Sequence, residues 1–214
     1  MRLCVAVLQG MVRRIKGVLR HQLLVPVSLV TIGLIVLTYV ASQYAAMYLE
    51  QKRLADRWTQ QQNHAAVPEA AGKADDDGLI RLVIPKIDLT SFVVEGTNHR
   101  SLLLGPGHME KTAEPGDSGN AVITGHRDTF FRHLHELEKG DQVYVDRHGK
   151  RLVYKVTGKK IVNPDDMYVT RPTSDSELTL ITCYPTYFIG PAPRRLVVFT
   201  KLSSGQQEQL TSTR

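Results

Sequence analysis

Cysteine is nearly absent from this chain, and acidic residues are missing from its first 49 positions. Only Cys4 and Cys183 occur among the 214 residues, which is too few for a disulfide framework. The first 49 residues carry five basic residues, and the remaining chain holds 22 basic against 21 acidic residues. The N-terminal segment therefore supplies +5 of the net charge of +6, and nothing beyond it indicates a nucleic-acid-binding face.

Charge is also absent from Leu23 to Ala41, a run of 19 residues that is long enough to span a bilayer as a helix. All basic residues of the N-terminal segment precede this run. The positive-inside rule therefore predicts a cytoplasmic tail over residues 1–22, a single transmembrane helix over 23–41 and an extracytoplasmic remainder. A cleaved signal peptide is the alternative, with small residues such as Ala45 at a cleavage site, but the apolar run exceeds a typical signal core.

With this topology Cys4 is cytoplasmic, and Cys183 is the only exported cysteine. The residues Leu178–Thr182 before it predict a buried strand, and Pro185 ends that strand because proline cannot donate to a sheet ladder. A thiol at the end of a rigid strand, next to a loop, is well positioned to act as a nucleophile. The alternative is a buried structural cysteine that behaves as a small hydrophobic residue.

Residues 42–78 are predicted to continue the membrane helix as a stem to Gln62 and then to form a flexible tether, because 63–78 is rich in Ala, Gly and Asp.

Over 79–202, short strands separated by turn signals predict an all-β barrel or sandwich. One helix is predicted at Phe130–Lys139, and the polar residues 203–214 are predicted to fray. The predicted strands are Leu79–Ile84, Phe92–Val94, Ala121–Thr124, Gln142–Val145, Leu152–Val156, Lys159–Val162, Leu178–Thr182 and Leu196–Leu202.

A reactive thiol needs a neighbouring base, and histidine suits this task near neutral pH. His126 follows a predicted strand that ends in Gly125, so it lies at a strand end as Cys183 does. A structural histidine is the alternative. No spacing of His, Cys and acidic residues predicts a metal site. Of the remaining exported histidines, most are predicted on the surface: His64 in the tether, His99 and His108 in loops, and His148 in a turn. His133 and His135 lie two apart on the predicted helix, so they point to different faces and make a poor metal pair.

An acyl-transfer site also needs positive charge or N–H donors where the oxyanion develops. Arg194 and Arg195 open the last predicted strand. If that strand pairs antiparallel with the strand of Cys183, alternation puts one arginine on the face of the thiol and the other on the opposite face. The residues alone leave the choice open, and a charged cap on an edge strand is the alternative.

Three separated motifs lie in consistent order within residues 79–202. They are Gly125-His-Arg-Asp-Thr-Phe-Phe-Arg132, Thr182-Cys-Tyr-Pro185 and Gly190-Pro-Ala-Pro193 before Arg-Arg-Leu-Val-Val, with Ile84-Pro-Lys-Ile87 at the entry. Together with the membrane anchor, these motifs resemble the sortases, which are cysteine transpeptidases of bacterial surfaces, and they look most like class D sortases. The resemblance implies a mainly β fold, a closed eight-stranded β-barrel with one short helix.

The resemblance also implies roles for individual residues. Cys183 would be the nucleophile, His126 the general acid/base and Arg195, which directly precedes the apolar last strand, the catalytic arginine, with Arg194 as the alternative. The loop Asn163–Glu177 would help shape the substrate groove. Some sortases use calcium, but the expectation here is a mechanism without a metal or other cofactor.

The implied substrates are secreted proteins with a C-terminal signal of the Leu-Pro-x-Thr-Gly type, cut after Thr. The acyl group would pass to an amine of a cell-wall precursor or a pilin lysine. Two alternatives to this transpeptidase differ in outcome. One is a cysteine peptidase that hydrolyses its thioester, and the other is a non-catalytic exported β-domain with a buried cysteine.

Overall fold

The computed structural model describes residues 2–65 and 78–209, with side chains for residues 24–62 and 78–203. The chain divides into two compact units, Met1–Ala46 and Met47–Arg214. The helix α1 runs from Arg2 to Ala65.

The first unit consists of the N-terminal part of α1. By length and composition, the helix over Leu24–Gln62 could cross a membrane, because a stretch of 18 residues within it has a mean hydropathy of 2.3. Its large apolar side chains are exposed on all sides between Leu24 and Val40. A helix of a globular protein buries one apolar stripe, so exposure all round fits a lipid surrounding. The N-terminal helix is therefore a candidate membrane span, and its orientation stays a prediction.

The second unit contains a closed barrel of eight strands, which confirms the predicted fold class. The strand order around the barrel is β1-β2-β3-β4-β7-β8-β6-β5, and the β2–β3 and β4–β7 pairs are parallel. The strands are β1 Ile80–Ile84, β2 Leu89–Glu95, β3 Gly107–His108, β4 Gly119–Gly125, β5 Gln142–Arg147, β6 Lys150–Val162, β7 Ser176–Tyr184 and β8 Arg194–Gln209.

The short α-helix of this unit is α2, His99–Leu104, which begins where the Asn98 side chain accepts a hydrogen bond from the Ser101 N–H at 3.0 Å. The helix predicted at Phe130–Lys139 is wrong, because that segment consists of turns around a single 3-10 turn at Leu134–Glu136. Its fully buried residues are Phe131, Leu134 and Leu137. Their spacing of three matches the three residues per turn of a 3-10 helix. Further 3-10 turns lie at Pro85–Ile87 and Met167–Thr170.

Several strand limits differ from the prediction. β6 is continuous where two strands were predicted, since the register shifts between Val156 and Gly158 and the glycine marks a bulge rather than a break. β3 has two residues and was missed. β8 continues to Gln209, which pairs with Lys150 of β6, so the segment from residue 203 to 209 is not frayed. The rest of the predicted tail, residues 210–214, lies outside the described residues.

The core has an inner and an outer part. The inner cluster fills the barrel and includes Leu178 and Leu180 of β7. Side chains alternate along a strand, so Ile181 points outward, where it joins a second cluster. The outer cluster covers β4, β7 and β8 and is closed by Val169 of the 3-10 turn Met167–Thr170. Its buried members are Val122, Val162, Val169, Ile181 and Val197. These three strands are therefore buried on both faces.

The last turns of α1 also belong to this unit. Leu54 and Trp58 pack with Leu79 and Phe92. The Gln51 side chain donates to the carbonyls of Phe92 at 3.1 Å and Leu104 at 2.9 Å, and it accepts from the Phe92 N–H at 2.8 Å. The later half of the predicted stem therefore packs on β2. The tether predicted for residues 63–78 lies outside the described residues from 66 to 77.

Candidate active site

Cys183 lies one residue before the end of β7 and is partly exposed. Because Leu178 and Leu180 point into the barrel, alternation puts Cys183 on the outer face together with Ile181. The outer apolar cluster ends at Ile181, so the thiol lies at its open margin. The strand end expected for this residue is observed.

Arg195 is the direct cross-strand partner of Cys183, whereas Arg194 is opposite Tyr184. Directly opposed residues share a face of an antiparallel pair. Arg195 is therefore on the side of the thiol, and Arg194 is exposed on the other side. The Arg195 Nη1 donates to the carbonyls of Ala192 at 3.2 Å and Arg194 at 3.0 Å. A guanidinium has five N–H donors, so these bonds occupy only one nitrogen of the fork.

His126 follows the last residue of β4. Gly125 pairs with Thr182 in the parallel β4–β7 ladder, so the next residues along the two strands are His126 and Cys183. The Thr182 hydroxyl donates to the Gly125 carbonyl at 2.8 Å. These contacts bring the strand end that carries the imidazole beside the strand end that carries the thiol.

The turn after His126 is closed by Phe131. The Phe131 N–H donates to the His126 carbonyl at 3.0 Å, and the fully buried ring packs against Gly125. A Cβ on Gly125 would approach the ring to 2.7 Å. Glycine at this position therefore permits the tight turn that presents His126.

Buried polar atoms without hydrogen-bond partners lie at and near His126. Among the described residues, six buried side-chain atoms have no hydrogen-bond partner, and three of them are Thr124 Oγ1, His126 Nε2 and Thr129 Oγ1. An unpaired buried polar atom is costly, so such a group calls for an explanation. The ring of His99, predicted only as a loop residue, also contacts His126 edge-on with the centroids 6.2 Å apart. The end of β4 around His126 can therefore offer hydrogen bonds to a polar group of a ligand.

The loops on either side of β7 expose apolar side chains. Met167 and Tyr168 are exposed in the loop before β7, within the predicted groove segment Asn163–Glu177. Tyr187, Phe188 and Ile189 are exposed in the loop between β7 and β8. A hydrogen bond to Tyr168 raises the pKa of Lys160, so this lysine stays a cation at the margin of the outer face.

A cavity of about 590 Å³ lies beside the loop between β7 and β8. Its lining includes Tyr184 and Leu196, which face the barrel interior rather than the side of Cys183. Its lining also includes His135, Lys160 and Ile161, and the residues Pro185 to Tyr187 of the loop itself. The cavity therefore lies at the end of the barrel, next to the loop that follows Cys183.

The fold also assembles a group that the sequence spacing did not predict. Donor atoms of Glu95, His108 and Glu114 lie within 4.8 Å of one another. His108, predicted in a surface loop, is 3% exposed in β3. Its Nδ1 contacts the Glu95 carboxylate at 3.0 Å and its Nε2 contacts the Ala113 carbonyl at 3.0 Å. Both ring nitrogens are engaged within the protein, so we assign no metal to this group.

Comparisons with known proteins agree on one family. The family model described as the sortase domain matches residues 82–203. Sortase D of Bacillus subtilis is 38% identical over 143 residues, which cover 66% of this chain and 70% of that protein. The solved sortase D5 transpeptidase of Clostridium perfringens has a TM-score of 0.60 at 24% identity, covering 72% of this chain and 98% of that chain, and supports the fold. Listeria monocytogenes sortase A has a TM-score of 0.57 at 28% identity, covering 64% and 93%.

Proposed function

The chain belongs to the sortase family, whose members are cysteine transpeptidases, and it is class D-like; we propose that it cleaves a Leu-Pro-x-Thr-Gly-type sorting signal after Thr and transfers the acyl group to an amine. Cys183 is the nucleophile, His126 the general acid/base and Arg195 the oxyanion-stabilising group. Because the members of this family are enzymes, family membership argues against the alternative hypothesis of a non-catalytic exported β-domain.

In the first half-reaction the Cys183 sulfur attacks the Thr carbonyl carbon, and His126 takes the thiol proton. A C–S bond forms, and negative charge develops on the carbonyl oxygen. The guanidinium of Arg195 stabilises this oxyanion through N–H donors and positive charge. The C–N bond to Gly then breaks, His126 gives its proton to the departing amine, and a thioester on Cys183 remains.

In the second half-reaction an amine attacks the thioester carbonyl carbon. His126 takes a proton from the attacking nitrogen, a new amide bond forms, and the C–S bond breaks. His126 then returns the proton to the departing sulfur, which restores the thiol of Cys183. Water in place of the amine would give hydrolysis. The acceptor is an amine of a cell-wall precursor or of a pilin lysine, and the product is a protein attached to the cell surface or a pilus.

The strand register carries this proposal. Cys183 is paired with Arg195 on one side, and on the other side Thr182 is paired with Gly125, which directly precedes His126. Three chemically complementary groups therefore share one margin of the outer face, at the ends of β4 and β7 and the start of β8. The unpartnered polar atoms at Thr124 and His126 support the same location.

Cellular location is part of the proposal. The candidate membrane span would hold the chain as a single-pass protein, with the basic tail in the cytoplasm and the barrel outside. The barrel would then meet secreted proteins and cell-surface amines, which are the substrates proposed above.

The direct test is mass spectrometry of the full-length chain in detergent, incubated with a Leu-Pro-x-Thr-Gly peptide. Without an added amine, Cys183 should gain the mass of the acyl fragment and lose it on treatment with hydroxylamine. With added triglycine, the peptide–amine product should accumulate. Cys183→Ala should form neither species, and a cleaving Cys183→Ala variant would refute the assignment. Hydrolysis that persists at saturating amine would favour the peptidase alternative.

A further inference from the structure

Arg127 joins the turn that carries His126 to the loop that follows Cys183. Its Nη1 donates to the Pro185 carbonyl at 3.0 Å, and its Nη2 donates to the carbonyls of Phe188 at 2.8 Å and Gly190 at 2.7 Å. The guanidinium carbon also lies 5.9 Å from the centroid of the Phe188 ring. One side chain therefore binds three carbonyls of a loop that is about sixty residues away in sequence, and we call this set of contacts the Arg127 clamp.

The clamp needs the guanidinium group specifically. Arginine presents a planar fork of donors, whereas lysine offers one compact ammonium on a flexible stem. Gly190 contributes a carbonyl from a backbone with a φ of +96°, a conformation that favours glycine. The loop is therefore shaped to turn its carbonyls toward one cation.

The clamped loop leads from Cys183 to Arg195. It begins at Pro185, two residues after the thiol, and it includes Ala192, whose carbonyl accepts a hydrogen bond from Arg195 Nη1 at 3.2 Å. Arg127 itself is covalently next to His126. A change in the clamp would thus reach the imidazole, the thiol and the guanidinium of the proposed mechanism together.

We infer that Arg127 is a positioning residue, which holds the loop 185–190 against the turn of His126 and so fixes the mutual positions of His126, Cys183 and Arg195. The catalytic consequence of this inference rests on the proposed function. The inference does not require Arg127 to touch the substrate, because the Arg127 guanidinium is already bound to the loop carbonyls.

The test compares wild type, Arg127→Ala and Arg127→Lys in the full-length chain in detergent. Arg132→Ala is the matched control, since Arg132 lies in the same segment, is exposed, and forms no side-chain hydrogen bond or ion pair in the described part of the chain. The first measurement needs no substrate. Chymotrypsin should cut after Tyr187 or Phe188 about tenfold faster in Arg127→Ala, because three charge-assisted hydrogen bonds no longer hold the loop.

Arg127→Lys should be cleaved at an intermediate rate, and Arg132→Ala at the wild-type rate, with the sites mapped by mass spectrometry.

The second measurement is the steady-state rate with the signal peptide. For Arg127→Ala, kcat should fall about tenfold or more while KM changes less than about threefold, because transition-state geometry is lost and not peptide binding. Partial recovery of kcat is expected in Arg127→Lys.

Wild-type cleavage rates and wild-type kcat in Arg127→Ala would overturn the inference. An increase of KM alone would also overturn it, because it would make Arg127 a peptide-binding residue. If Arg127→Ala does not fold, Arg127→Lys carries the same comparison. A wild-type enzyme that forms no thioester would refute the proposed function, whereas the proteolysis would still decide whether the clamp holds the loop.

Discussion

The hydroxyl of Thr182 donates a hydrogen bond to the carbonyl of Gly125 at 2.8 Å, and these two residues immediately precede Cys183 and His126. Thr182 is buried, so the bond is shielded from water. It ties the two strand ends of the proposed active site together at the residues just inside the margin.

Thr182→Val should therefore weaken both folding and activity. Valine keeps the shape but removes the donor to the buried Gly125 carbonyl, which costs on the order of 1–3 kcal/mol of unfolding free energy. Thr182→Ser keeps the hydroxyl and should retain most of the activity. Denaturant unfolding and peptide turnover measured on both variants check this. Equal turnover for valine and threonine would show that the bond has no part in positioning the site.

Arg195→Ala and Arg194→Ala should differ sharply in turnover. Loss of an oxyanion donor typically lowers kcat by about 100- to 1000-fold, and the register supports Arg195 in that role. Loss of the exposed Arg194 should change the free energy of unfolding by less than about 0.5 kcal/mol and turnover little. Arg195→Lys should recover only part of the rate because lysine lacks the planar fork.

Steady-state kinetics, with folding checked by circular dichroism, decide between the two arginines. A large loss for Arg194→Ala with a small loss for Arg195→Ala would reverse the assignment. Small losses for both would remove arginine from the mechanism.

Tyr154 should make the fold sensitive to alkaline pH. Its ring is fully buried, and its hydroxyl accepts a hydrogen bond from the Gly116 N–H at 2.8 Å. Burial is the main cause that raises the pKa of Tyr154 to about 12. In the unfolded chain Tyr154 loses its proton near pH 10. The contribution of neutral Tyr154 to the free energy of unfolding is therefore fully present below about pH 10. It is lost as the pH rises toward 12, at about 1.4 kcal/mol per pH unit.

Denaturant unfolding between pH 7 and 11.5 measures this loss. Tyr154→Phe should be less stable at pH 7 by about 1–3 kcal/mol, because the Gly116 N–H loses its acceptor, and should show a flatter decline above pH 10. Tyr187→Phe is the control, since Tyr187 is 76% exposed. An equally steep alkaline decline in Tyr154→Phe would assign the effect to other groups.

Gln51→Ala should destabilise the second unit. The substitution removes the acceptor for the Phe92 N–H and the donor to the carbonyls of Phe92 and Leu104. We expect a loss of about 2–3 kcal/mol, which lowers Tm by several degrees in a domain of this size. Thermal unfolding of the full-length chain in detergent tests this. Lys52→Ala, at an exposed neighbouring position, should leave Tm unchanged. A Gln51→Ala variant with the Tm of Lys52→Ala would contradict the packing role.

The predicted orientation is testable in intact cells. Protease added outside should cut within the predicted tether 63–78 and release a compact fragment, since all charge before the apolar run is positive. The released fragment is identified by its mass. A tether that is cut only after the membrane is lysed would contradict this orientation.

The all-β class and the strand ends of Cys183 and His126 could be predicted because alternation, turn residues and strand-ending proline and glycine are local signals. These signals did not distinguish a barrel from a sandwich, and the closed eight-stranded barrel was implied only by the resemblance to the sortases. The choice between Arg194 and Arg195 could not be derived from those signals, since it depends on the register of β7 against β8. The helix predicted at Phe130–Lys139 failed because apolar residues three apart satisfy a 3-10 turn as well as an α-helix.

Other features were missed for physical reasons. β3 has too few residues to show a period, and the pairing of residues 203–209 depends on the length of β6 rather than on their own polar composition. The burial of His108 follows from its carbonyl and carboxylate partners. Arg127 acts on backbone carbonyls, and carbonyls carry no sequence signature, so its clamp was visible only in three dimensions.

The packing of Leu54 and Trp58 on Phe92 changes where a soluble enzyme can begin. A protein started at Leu79, the first residue of the predicted catalytic domain, would lack the cover of Phe92 and leave three backbone hydrogen-bonding groups of Phe92 and Leu104 to water. Exposed apolar surface of this kind promotes self-association. Recombinant work on the enzyme should therefore retain the chain from Met47 onward, so that the last helical turns of the stem keep the apolar surface of the domain covered.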